Sequence, residues 1–263
     1  MARTIGVLSI KGGVGKTSAV VSLGDAIAGF GKKVLIVDAN FSAPNLGAHL
    51  NIIEPEKTIH EVLGRVAKVS EAITKYETFD ILPAKIFSNK RISPLDLKKK
   101  LGSVKRSYDF ILIDSSPSLN EEGLAPMLAA DELIIVTTPD VPTLTSTLKL
   151  VKIIKQRKIP INGIILNKTH DKDFELSMGN IEDTVDVPIL AVIPYDINVL
   201  KSVSKFIPST THKPNSRSSM EYKKLAATLI GVKYKPFSFR EIFKTTPKRH
   251  EINREIFYER VFK

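Results

Sequence analysis

The stretch IKGGVGKT, residues 10–17, decides the fold of this 263-residue chain. It follows an apolar run rich in β-branched residues, Ile5–Ile10, and precedes a helical pattern over Thr17–Phe30. A glycine-rich loop between a strand and a helix lets backbone N–H groups surround phosphate oxygens, and the helix start adds the positive end of its dipole. The common pattern GxxxxGK[ST] is broken at its first position, where Ile10 replaces glycine. We therefore expect a phosphate-binding loop at the start of an α/β domain.

Apolar runs and helical patterns alternate along the rest of the chain. The further predicted strands are Lys33–Asp38, Phe79–Leu82, Asp109–Asp114, Glu132–Thr137, Gly163–Asn167 and Pro188–Ile193. The further predicted helices are Thr58–Ala67, Pro94–Leu101, Glu121–Ala130, Pro142–Arg157, Phe174–Thr184 and Ser219–Ile230. Because most of the runs are apolar throughout, they are typical of strands buried on both faces of a parallel sheet. The pattern predicts an α/β fold, with a doubly wound, mostly parallel sheet and helices on both faces.

The composition excludes several classes of protein. Lysine and arginine number 39 and aspartate and glutamate 28, and the resulting net charge of +11 favours an anionic partner. The chain has no cysteine, which excludes disulfides, thiolate zinc sites and cysteine-held iron–sulfur clusters. The five histidines are scattered, and we interpret them as surface or packing residues. No apolar run approaches the ~18 residues of a transmembrane helix, and the start lacks a signal-peptide core, so we expect a cytoplasmic protein.

The residues of the loop have predicted tasks in nucleotide binding. The predicted binding stretch contains Gly12, Gly13, Val14, Gly15, Lys16, Thr17 and Ser18. The glycines allow the backbone N–H groups to close around phosphate oxygens. Lys16 is expected to reach the β- and γ-phosphates, and the hydroxyl of Thr17 is expected to ligate Mg²⁺. The alternative, a glycine-rich turn without a ligand, is disfavoured by the strand–loop–helix context.

A second lysine in the loop, Lys11, carries a family resemblance. KGGVGKT, residues 11–17, matches the deviant Walker A loop xKGGxGK[ST], and the chain resembles the MinD/ParA family of P-loop ATPases. Further segments resemble that family in the same order: VDAN at 37–40, YDFILIDSSPSL at 108–119, ADELIIVTTPD at 130–140, LNK at 166–168 and IPYD at 193–196. The resemblance covers residues 1–231. It implies a P-loop NTPase fold, ATP hydrolysis, and ATP/ADP and Mg²⁺ as cofactors.

The same resemblance implies roles for the charged residues of the pocket. In this family two subunits enclose two ATP molecules, so it implies an ATP-dependent homodimer in which Lys11 binds the nucleotide of the partner subunit. Such a cation stabilises charge on the transferring phosphoryl group, and Lys16 acts on the same charge. Asp114 assists Mg²⁺ through water, and Asp38 ends a strand close to the same pocket. The expected metal site is thus Thr17, Asp38 and Asp114, although either aspartate has an alternative interpretation as a turn residue.

Three residues near the end of the covered region are expected at the adenine base. Asn167 matches the family residue that hydrogen-bonds the edge of the base. Pro194 and Asp196 match residues that line the base pocket. Asparagine is also common in turns, which leaves a purely structural role for Asn167 open.

One position departs from the family pattern. The family usually has an aspartate two residues after the position of Asp38, where it orients or activates the attacking water, and this chain has Asn40. An amide can position water but cannot accept its proton. We therefore expect slow hydrolysis and a long-lived ATP-bound dimer. The alternative is that Asn40 is only a turn residue.

Sequence features favour the MinD branch, without excluding ParA. The first strand begins almost at Met1, and the chain ends in a basic, Phe-rich stretch, as MinD proteins end in a membrane-targeting helix. Ile10, Ser18 and the segment Pro117–Leu119 argue against a close MinD match. The sequence thus predicts a P-loop ATPase domain, 1–231, followed by a tail, 232–263. Its expected role is positioning the cell-division site or other machinery, and the ParA alternative is chromosome or cargo segregation.

The basic surfaces leave three docking partners open. Residues 232–263 hold nine basic and four acidic residues, and they are a candidate for contact with an anionic membrane. The apolar residues after Ile252 do not gather on one helical face, so Phe237–Lys244 is the better membrane candidate; packing on the core or on a regulatory or cargo protein is the alternative. Lys85–Arg106 and Lys149–Lys158 are candidates for non-specific DNA contact. We expect a cytoplasmic protein with peripheral contact at the inner face of the cell membrane.

Overall fold

A mixed sheet of eight strands forms the centre of the protein. The computed structural model describes residues 1–86, 92–234 and 246–263. The strands are β1 (Arg3–Leu8), β2 (Val34–Ala39), β3 (Thr74–Lys75), β4 (Asp80–Leu82), β5 (Phe110–Ser115), β6 (Glu132–Thr137), β7 (Ile161–Thr169) and β8 (Ile189–Pro194). Their order across the sheet is β3-β4-β2-β5-β1-β6-β7-β8, and each neighbouring pair is parallel except β3 with β4. The predicted α/β fold with a mostly parallel sheet is confirmed.

Helices cover both faces of this sheet. The helices are α1 (Lys16–Ala28), α2 (Leu46–His49), α3 (Ile59–Leu63), α4 (Val69–Ala72), α5 (Leu97–Gly102), α6 (Glu121–Ala129), α7 (Val141–Gln156), α8 (Met178–Val185), α9 (Ile197–Ser204), α10 (Ser209–His212), α11 (Arg217–Ile230) and α12 (Arg249–Phe262). Helices α1 and α11 pack on one face. On the opposite face, α5 and α6 cover β2 and β5, and α7 and α8 cover β6 and β7.

The central strands are buried on both faces, as their uninterrupted apolar runs predict. Every residue of β2 and β5 is buried. Ile36 belongs to the core beneath α1, whereas its neighbour Leu35 belongs to the core of the opposite face. Asp38 and Asp114 are register partners near the carboxyl ends of β2 and β5. Since β1 lies beside β5, the loop after β1 meets both carboxylates at the same edge.

Several element ends and short elements differ from the sequence predictions. The helix predicted over Thr58–Ala67 spans only Ile59–Leu63. The helix predicted over Phe174–Thr184 begins at Met178, because the side chain of Ser177 caps its first turn. The apolar and helical patterns of the sequence do not predict β3, α2, α4, α9 or α10. These elements are two to eight residues long, too short for a periodic pattern to stand out.

The final helix, α12, packs along the edge strand β8. The amide of Asn253 donates to the carbonyl of Ile189 at 2.9 Å, and the guanidinium of Arg254 donates to the carbonyl of Leu190 at 2.9 Å. Phe257 lies beside them and is buried in the core. The packed face therefore mixes polar and apolar side chains, which is why a wheel of apolar residues alone does not reveal it. Polar side chains that occupy strand carbonyls also protect an open sheet edge.

The tail is the part of the chain that is predicted to contact a membrane. The membrane candidate Phe237–Lys244 lies outside the described residues. Within the described ranges, none of the helices combines the length and the apolar character needed to cross a membrane.

Candidate nucleotide-binding site

The phosphate loop connects β1 directly to α1. The first strand, predicted to reach Ile10, ends at Leu8, and α1 begins at Lys16. Gly13 and Gly15 have φ angles of 78° and 86°, which side-chain-bearing residues rarely adopt. A Cβ atom added to Gly12 or Gly13 would have no neighbour within 4 Å, so the backbone there faces open space. This is a cradle of backbone N–H groups at a helix start, the arrangement that suits phosphate.

A buried ion pair lies beneath the loop. The ammonium nitrogen of Lys16 lies 2.7 Å from Oδ1 of Asp114, and the hydroxyl of Thr17 donates to Oδ2 of the same carboxylate at 2.7 Å. Lys16 is 8% exposed and Asp114 is 1% exposed. Each charge thus compensates the other in a region with little water. Lys16, predicted to bind the phosphates, thus lies together with Thr17 and Asp114, two of the three residues predicted to hold Mg²⁺.

A second buried carboxylate, Asp38, lies next to this pair. Its Oδ1 accepts a hydrogen bond from the backbone N–H of Asn40 at 3.0 Å, and its Oδ2 accepts one from Leu46 at 3.1 Å. Burial, and then the charge of Asp114, raise the pKa of Asp38 to about 7. Both oxygens hold the loop that follows β2, so Asp38 organises that loop beside the ion pair of Lys16 and Asp114.

The amide of Asn40 is also engaged in this loop. The side chain is 6% exposed and donates through Nδ2 to the carbonyl of Ala43. The donor group of Asn40, two positions beyond Asp38, is therefore turned to the loop backbone. Its carbonyl oxygen is the group that remains to accept a hydrogen bond.

Lys11 lies at the rim of the site and contacts the first turn of α7. Its ammonium group donates to the hydroxyl of Thr143 at 2.9 Å and lies 3.3 Å from Oδ1 of Asp140. Burial raises the pKa of Asp140, but hydrogen bonds from Thr138 and Thr143 outweigh it and lower this pKa to about 2. Asp140 is therefore anionic at neutral pH and attracts Lys11.

Two residues at the end of β7 support the phosphate loop from the side. Asn167 donates through Nδ2 to the carbonyl of Val14 at 2.8 Å, and Lys168 donates through Nζ to the carbonyl of Gly13 at 2.7 Å. A Cβ atom added to Gly15 would lie 2.4 Å from Nδ2 of Asn167. Asn167 thus touches the loop in this structure, and the contact of Lys168 is one that the sequence analysis missed.

The residues assigned to the base pocket lie at the end of β8. Pro194 and Tyr195 line a cavity of about 990 Å³ that also borders Arg217. Asp196 lies outside that lining and caps α9, where it accepts from the backbone N–H of Asn198 at 2.9 Å. Its carboxylate is therefore committed to a helix start, and only its backbone is left to face a base.

Two protein-family models match large parts of this chain. A family model described as an AAA domain matches residues 2–166, and one described as 4Fe-4S iron sulfur cluster binding proteins of the NifH/frxC family matches residues 89–246. The chain is 35% identical to the septum site-determining protein MinD of Pyrococcus horikoshii OT3, complexed with Mg-ADP, with a TM-score of 0.82 over 87% of this chain and 96% of that one. The chain belongs to the MinD/ParA family of P-loop ATPases. It is therefore an ATPase whose cofactors are ATP/ADP and Mg²⁺.

Other MinD/ParA relatives extend the likeness over most of the chain. An uncharacterised ATP-binding protein of Methanocaldococcus jannaschii is 32% identical over 237 residues, 89% of this chain and 90% of its own. A MinC:MinD cell division protein complex from Aquifex aeolicus matches with 26% identity and a TM-score of 0.79, over 90% of this chain and 98% of that chain. Because this ATPase has no cysteine, its match to the NifH/frxC family lacks the thiolates that hold iron–sulfur clusters.

The donor atoms of this ATPase fit Mg²⁺ that binds together with a nucleotide. Thr17, Asp38 and Asp114 offer hydroxyl and carboxylate oxygens, the ligands that Mg²⁺ prefers. In the described part of the chain, no group of three or more His, Asp or Glu side chains forms a metal cage. The buried hydroxyl of Ser115 has no hydrogen-bond partner among the described residues. This sparse set of oxygens suits an ion that completes its shell with phosphate oxygens and water.

Two further contacts near the site were not expected from the sequence. Ser18, directly after the loop, lies 3.2 Å from Nε2 of His49 in α2. Ser42, in the loop after β2, donates to Glu122 in α6. His49 and Glu122 lie 31 and 80 residues from their partners in the sequence, so no local motif predicts these contacts.

Proposed function

We propose that this chain is a MinD-type nucleotide switch that binds ATP with Mg²⁺, dimerises, and dissociates after slow hydrolysis, and that it positions the cell-division site or other machinery. The position of Lys11 carries this proposal. Its side chain is 42% exposed beside the phosphate loop, where a second subunit can approach it. The likeness to a MinD with bound Mg-ADP, at 35% identity, supports the MinD branch.

The proposed mechanism assigns the buried residues to the bound phosphates. Lys16 leaves its contact with Asp114 to bind the β- and γ-phosphates, while the backbone of the loop holds the other oxygens. Thr17 and Asp114, with Asp38 beside them, are the residues that would hold Mg²⁺. The ion, when bound, neutralises charge on the phosphates. Lys11 of one subunit then stabilises the transferring phosphoryl group of the partner's ATP.

The base is proposed to bind where β7 and β8 end. Asn167, already beside the loop, is within reach of a nucleotide and has an amide that suits the polar edge of adenine. Pro194 and the backbone of Asp196 complete the pocket. Because the carboxylate of Asp196 already accepts a hydrogen bond at the start of α9, we propose that this residue shapes the pocket and does not hydrogen-bond the base through its side chain.

Slow hydrolysis is proposed from the character of Asn40. The residue has no proton-accepting group of sufficient basicity, and its amide N–H₂ is turned to Ala43. Asp38, whose pKa is about 7, is held by the backbone N–H groups of Asn40 and Leu46, so we assign it to the loop and to Mg²⁺ rather than to the attacking water. A single-turnover assay on wild type and Asn40→Asp tests this: the variant should hydrolyse ATP about a hundredfold faster or more, in the range that a general base contributes. An unchanged rate contradicts the role.

The switch itself is tested by the oligomeric state. Light scattering after size exclusion should give a monomer with ADP and a dimer with ATP and Mg²⁺. Lys11→Ala should remain a monomer with ATP while it still binds one nucleotide per chain. Lys68→Ala is the matched control, because Lys68 is exposed and is the N-cap residue of α4 rather than part of the phosphate loop. A wild-type protein that stays monomeric with ATP contradicts the proposal.

Docking is proposed with two kinds of partner, a regulatory protein and the inner face of the cell membrane, for an otherwise cytoplasmic protein. The MinC:MinD complex from Aquifex aeolicus supports a regulatory protein partner. For the membrane, Ile252 and Ile256 are exposed on the outer face of α12, within the tail 232–263. Cosedimentation with phosphatidylglycerol vesicles, with ATP, should fall in the double variant Ile252→Ser, Ile256→Ser. Phosphatidylcholine vesicles are the control surface, and equal binding to both contradicts an anionic docking site.

The ParA alternative, non-specific DNA binding, is favoured by the cluster on α7. Lys149, Lys152, Arg157 and Lys158 are exposed along this helix and the turn after it. In Lys85–Arg106, residues 87–91 lie outside the described ranges, and Lys105 is paired with Asp131 at 2.9 Å. With ATP, binding to random-sequence DNA that disappears between about 50 and 200 mM salt supports ParA-type function. Vesicle binding without DNA binding supports MinD.

A further inference from the structure

The first turn of α6 touches the loop that follows β2. Glu122, the second residue of α6, is 7% exposed. Its Oε1 accepts a hydrogen bond from the backbone N–H of Ser42 at 2.8 Å, and its Oε2 accepts one from the hydroxyl of Ser42 at 2.5 Å. One carboxylate thus holds both donors of a single loop residue, two positions beyond Asn40.

The same turn is also fixed to the loop that follows β5. A Cβ atom added to Gly123 would lie 1.9 Å from the carbonyl oxygen of Ser118, so the loop backbone rests directly on α6. Asn120 accepts from the backbone N–H of Gly123 at 3.2 Å and from the hydroxyl of Ser118 at 2.7 Å. The loop after β5 therefore cannot shift without moving this turn.

The two loops begin at adjacent points of the sheet. Asp38 and Asp114 are register partners on β2 and β5, and Asp114 forms the ion pair with Lys16. Each loop leaves the sheet beside the phosphate site and meets the other again at Glu122 and Gly123. A continuous series of contacts therefore runs from the loop after Asp114, through the first turn of α6, to Ser42 in the loop that carries Asn40.

We propose that Glu122 is a positioning residue, which transmits a displacement of the loop after β5 to the loop that carries Asn40. Phosphate and Mg²⁺ bound beside Asp114 then set the position of the Asn40 amide through α6. This role of Glu122 rests on the proposed function, because the state that it would regulate is the ATP-bound state of the proposed nucleotide switch. It does not depend on dimerisation, because every contact in the path lies within one chain.

A carboxylate is the group that this coupling needs. It accepts the backbone N–H and the hydroxyl of Ser42 at once through two oxygens, and hydrogen bonds to an ionised acceptor are stronger than neutral ones. In the described residues no cation is paired with Glu122, so Ser42 is its principal anchor at the loop. Replacing the carboxylate by an amide removes the charge and leaves one acceptor oxygen, so the hydroxyl of Ser42 must turn from donor to acceptor and both hydrogen bonds weaken.

Single-turnover hydrolysis and ATP affinity separate this role from a structural one. Glu122→Gln and Ser42→Ala should each lower the hydrolysis rate about tenfold, while the Kd for ATP stays within about twofold. Ser42→Thr keeps the hydroxyl and should restore the wild-type rate. Glu121→Gln, in the same turn but exposed, is the matched control and should leave the rate unchanged.

The outcomes distinguish this inference from the proposed function. Glu122→Gln and Ser42→Ala proteins that hydrolyse ATP at the wild-type rate overturn the coupling, even if the wild type dimerises with ATP. A rate loss in Ser42→Thr equal to that in Ser42→Ala also overturns it, because the hydroxyl is then irrelevant. A wild type that never dimerises overturns the switch but leaves the rates of these monomers to decide the coupling. The Ser42 pair keeps the test valid if Glu122→Gln does not fold.

Discussion

The ammonium group of Lys11 lies 2.9 Å from the hydroxyl of Thr143, in the first turn of α7. Lys11 is thus held by a contact within its own chain, beside the phosphate loop's other residues. Asp140 adds a longer contact of 3.3 Å, and both partners of that ion pair are more than 40% exposed. Exposed pairs of this kind contribute about 0–1 kcal/mol, so a phosphate presented by a second subunit can displace this contact.

Weakening this hold should favour the dimer. Asp140→Asn removes the charge but keeps an N-cap for α7, because asparagine caps as well as aspartate. The ATP concentration at half-maximal dimerisation should fall by about two- to fivefold, the range that an exposed ion pair allows. Light scattering across an ATP titration measures it. Asp186→Asn, which removes the partner of Lys155 at 2.5 Å, is the control and should leave the midpoint in place.

Gly123 and Gly102 should respond to alanine in opposite ways. A Cβ atom at Gly123 would meet the carbonyl oxygen of Ser118 at 1.9 Å, so Gly123→Ala should destabilise the fold by about 3 kcal/mol or more. A Cβ atom at Gly102 would have no neighbour within 4 Å, and Gly102→Ala should be neutral or stabilising by up to about 1 kcal/mol. Urea unfolding followed by circular dichroism measures both. Equal stability of the two variants would show that α6 does not support the loop closely.

The attachment of α12 should weaken in mild acid. Burial lowers the pKa of His250 from 6.5 to about 4, although the charge of Glu221 opposes this shift. Its imidazole therefore stays neutral in the folded protein between these values, whereas the unfolded chain takes up a proton. The unfolded state binds more protons there, so stability falls as pH drops from 6.5 towards 4.

The pH experiment follows from this sign. The melting temperature of wild type should fall between pH 6.5 and pH 4.5, and the fall should be smaller in His250→Gln, which has no proton to gain. His212→Gln is the control, because His212 is only half-buried in the short helix α10. A wild-type loss that His250→Gln reproduces in full assigns the acid sensitivity to other groups.

The fold was predictable where one local pattern determines one element. The apolar run Glu132–Thr137 is β6 to the residue, and Glu121–Ala130 is one residue longer than α6. Four consecutive apolar residues, Leu133–Val136, form the centre of the first run, and all four are buried in the sheet. By contrast, α12 uses Asn253 and Arg254 as packing residues, and their partners are the carbonyls of β8. A sequence pattern cannot reveal that a polar side chain will donate to a backbone carbonyl that lies far away in the sequence.

In the candidate site, too, the contiguous motif was predictable from the sequence and the long-range contacts were not. The residues 10–17 form one contiguous motif, and the ion pair of Lys16 with Asp114 joins that motif to the end of a predicted strand. The contacts of Lys11 with Thr143 and of Ser42 with Glu122 link positions 132 and 80 residues apart. Only the strand order brings these segments together, so such contacts emerge from the topology and not from spacing.

The side chains of α12 should divide sharply in their effect on stability. Phe257 is 2% exposed and belongs to the core beneath α1 and α11, so Phe257→Ala should lower the free energy of unfolding by about 3–5 kcal/mol. Ile256, its neighbour, is 59% exposed, and Ile256→Ala should change it by no more than about 0.5 kcal/mol. Urea unfolding gives both values, and limited proteolysis should release the tail faster in Phe257→Ala. If the two variants are equally stable, α12 is not fixed to the core through this face, and the whole helix is then free to meet a membrane.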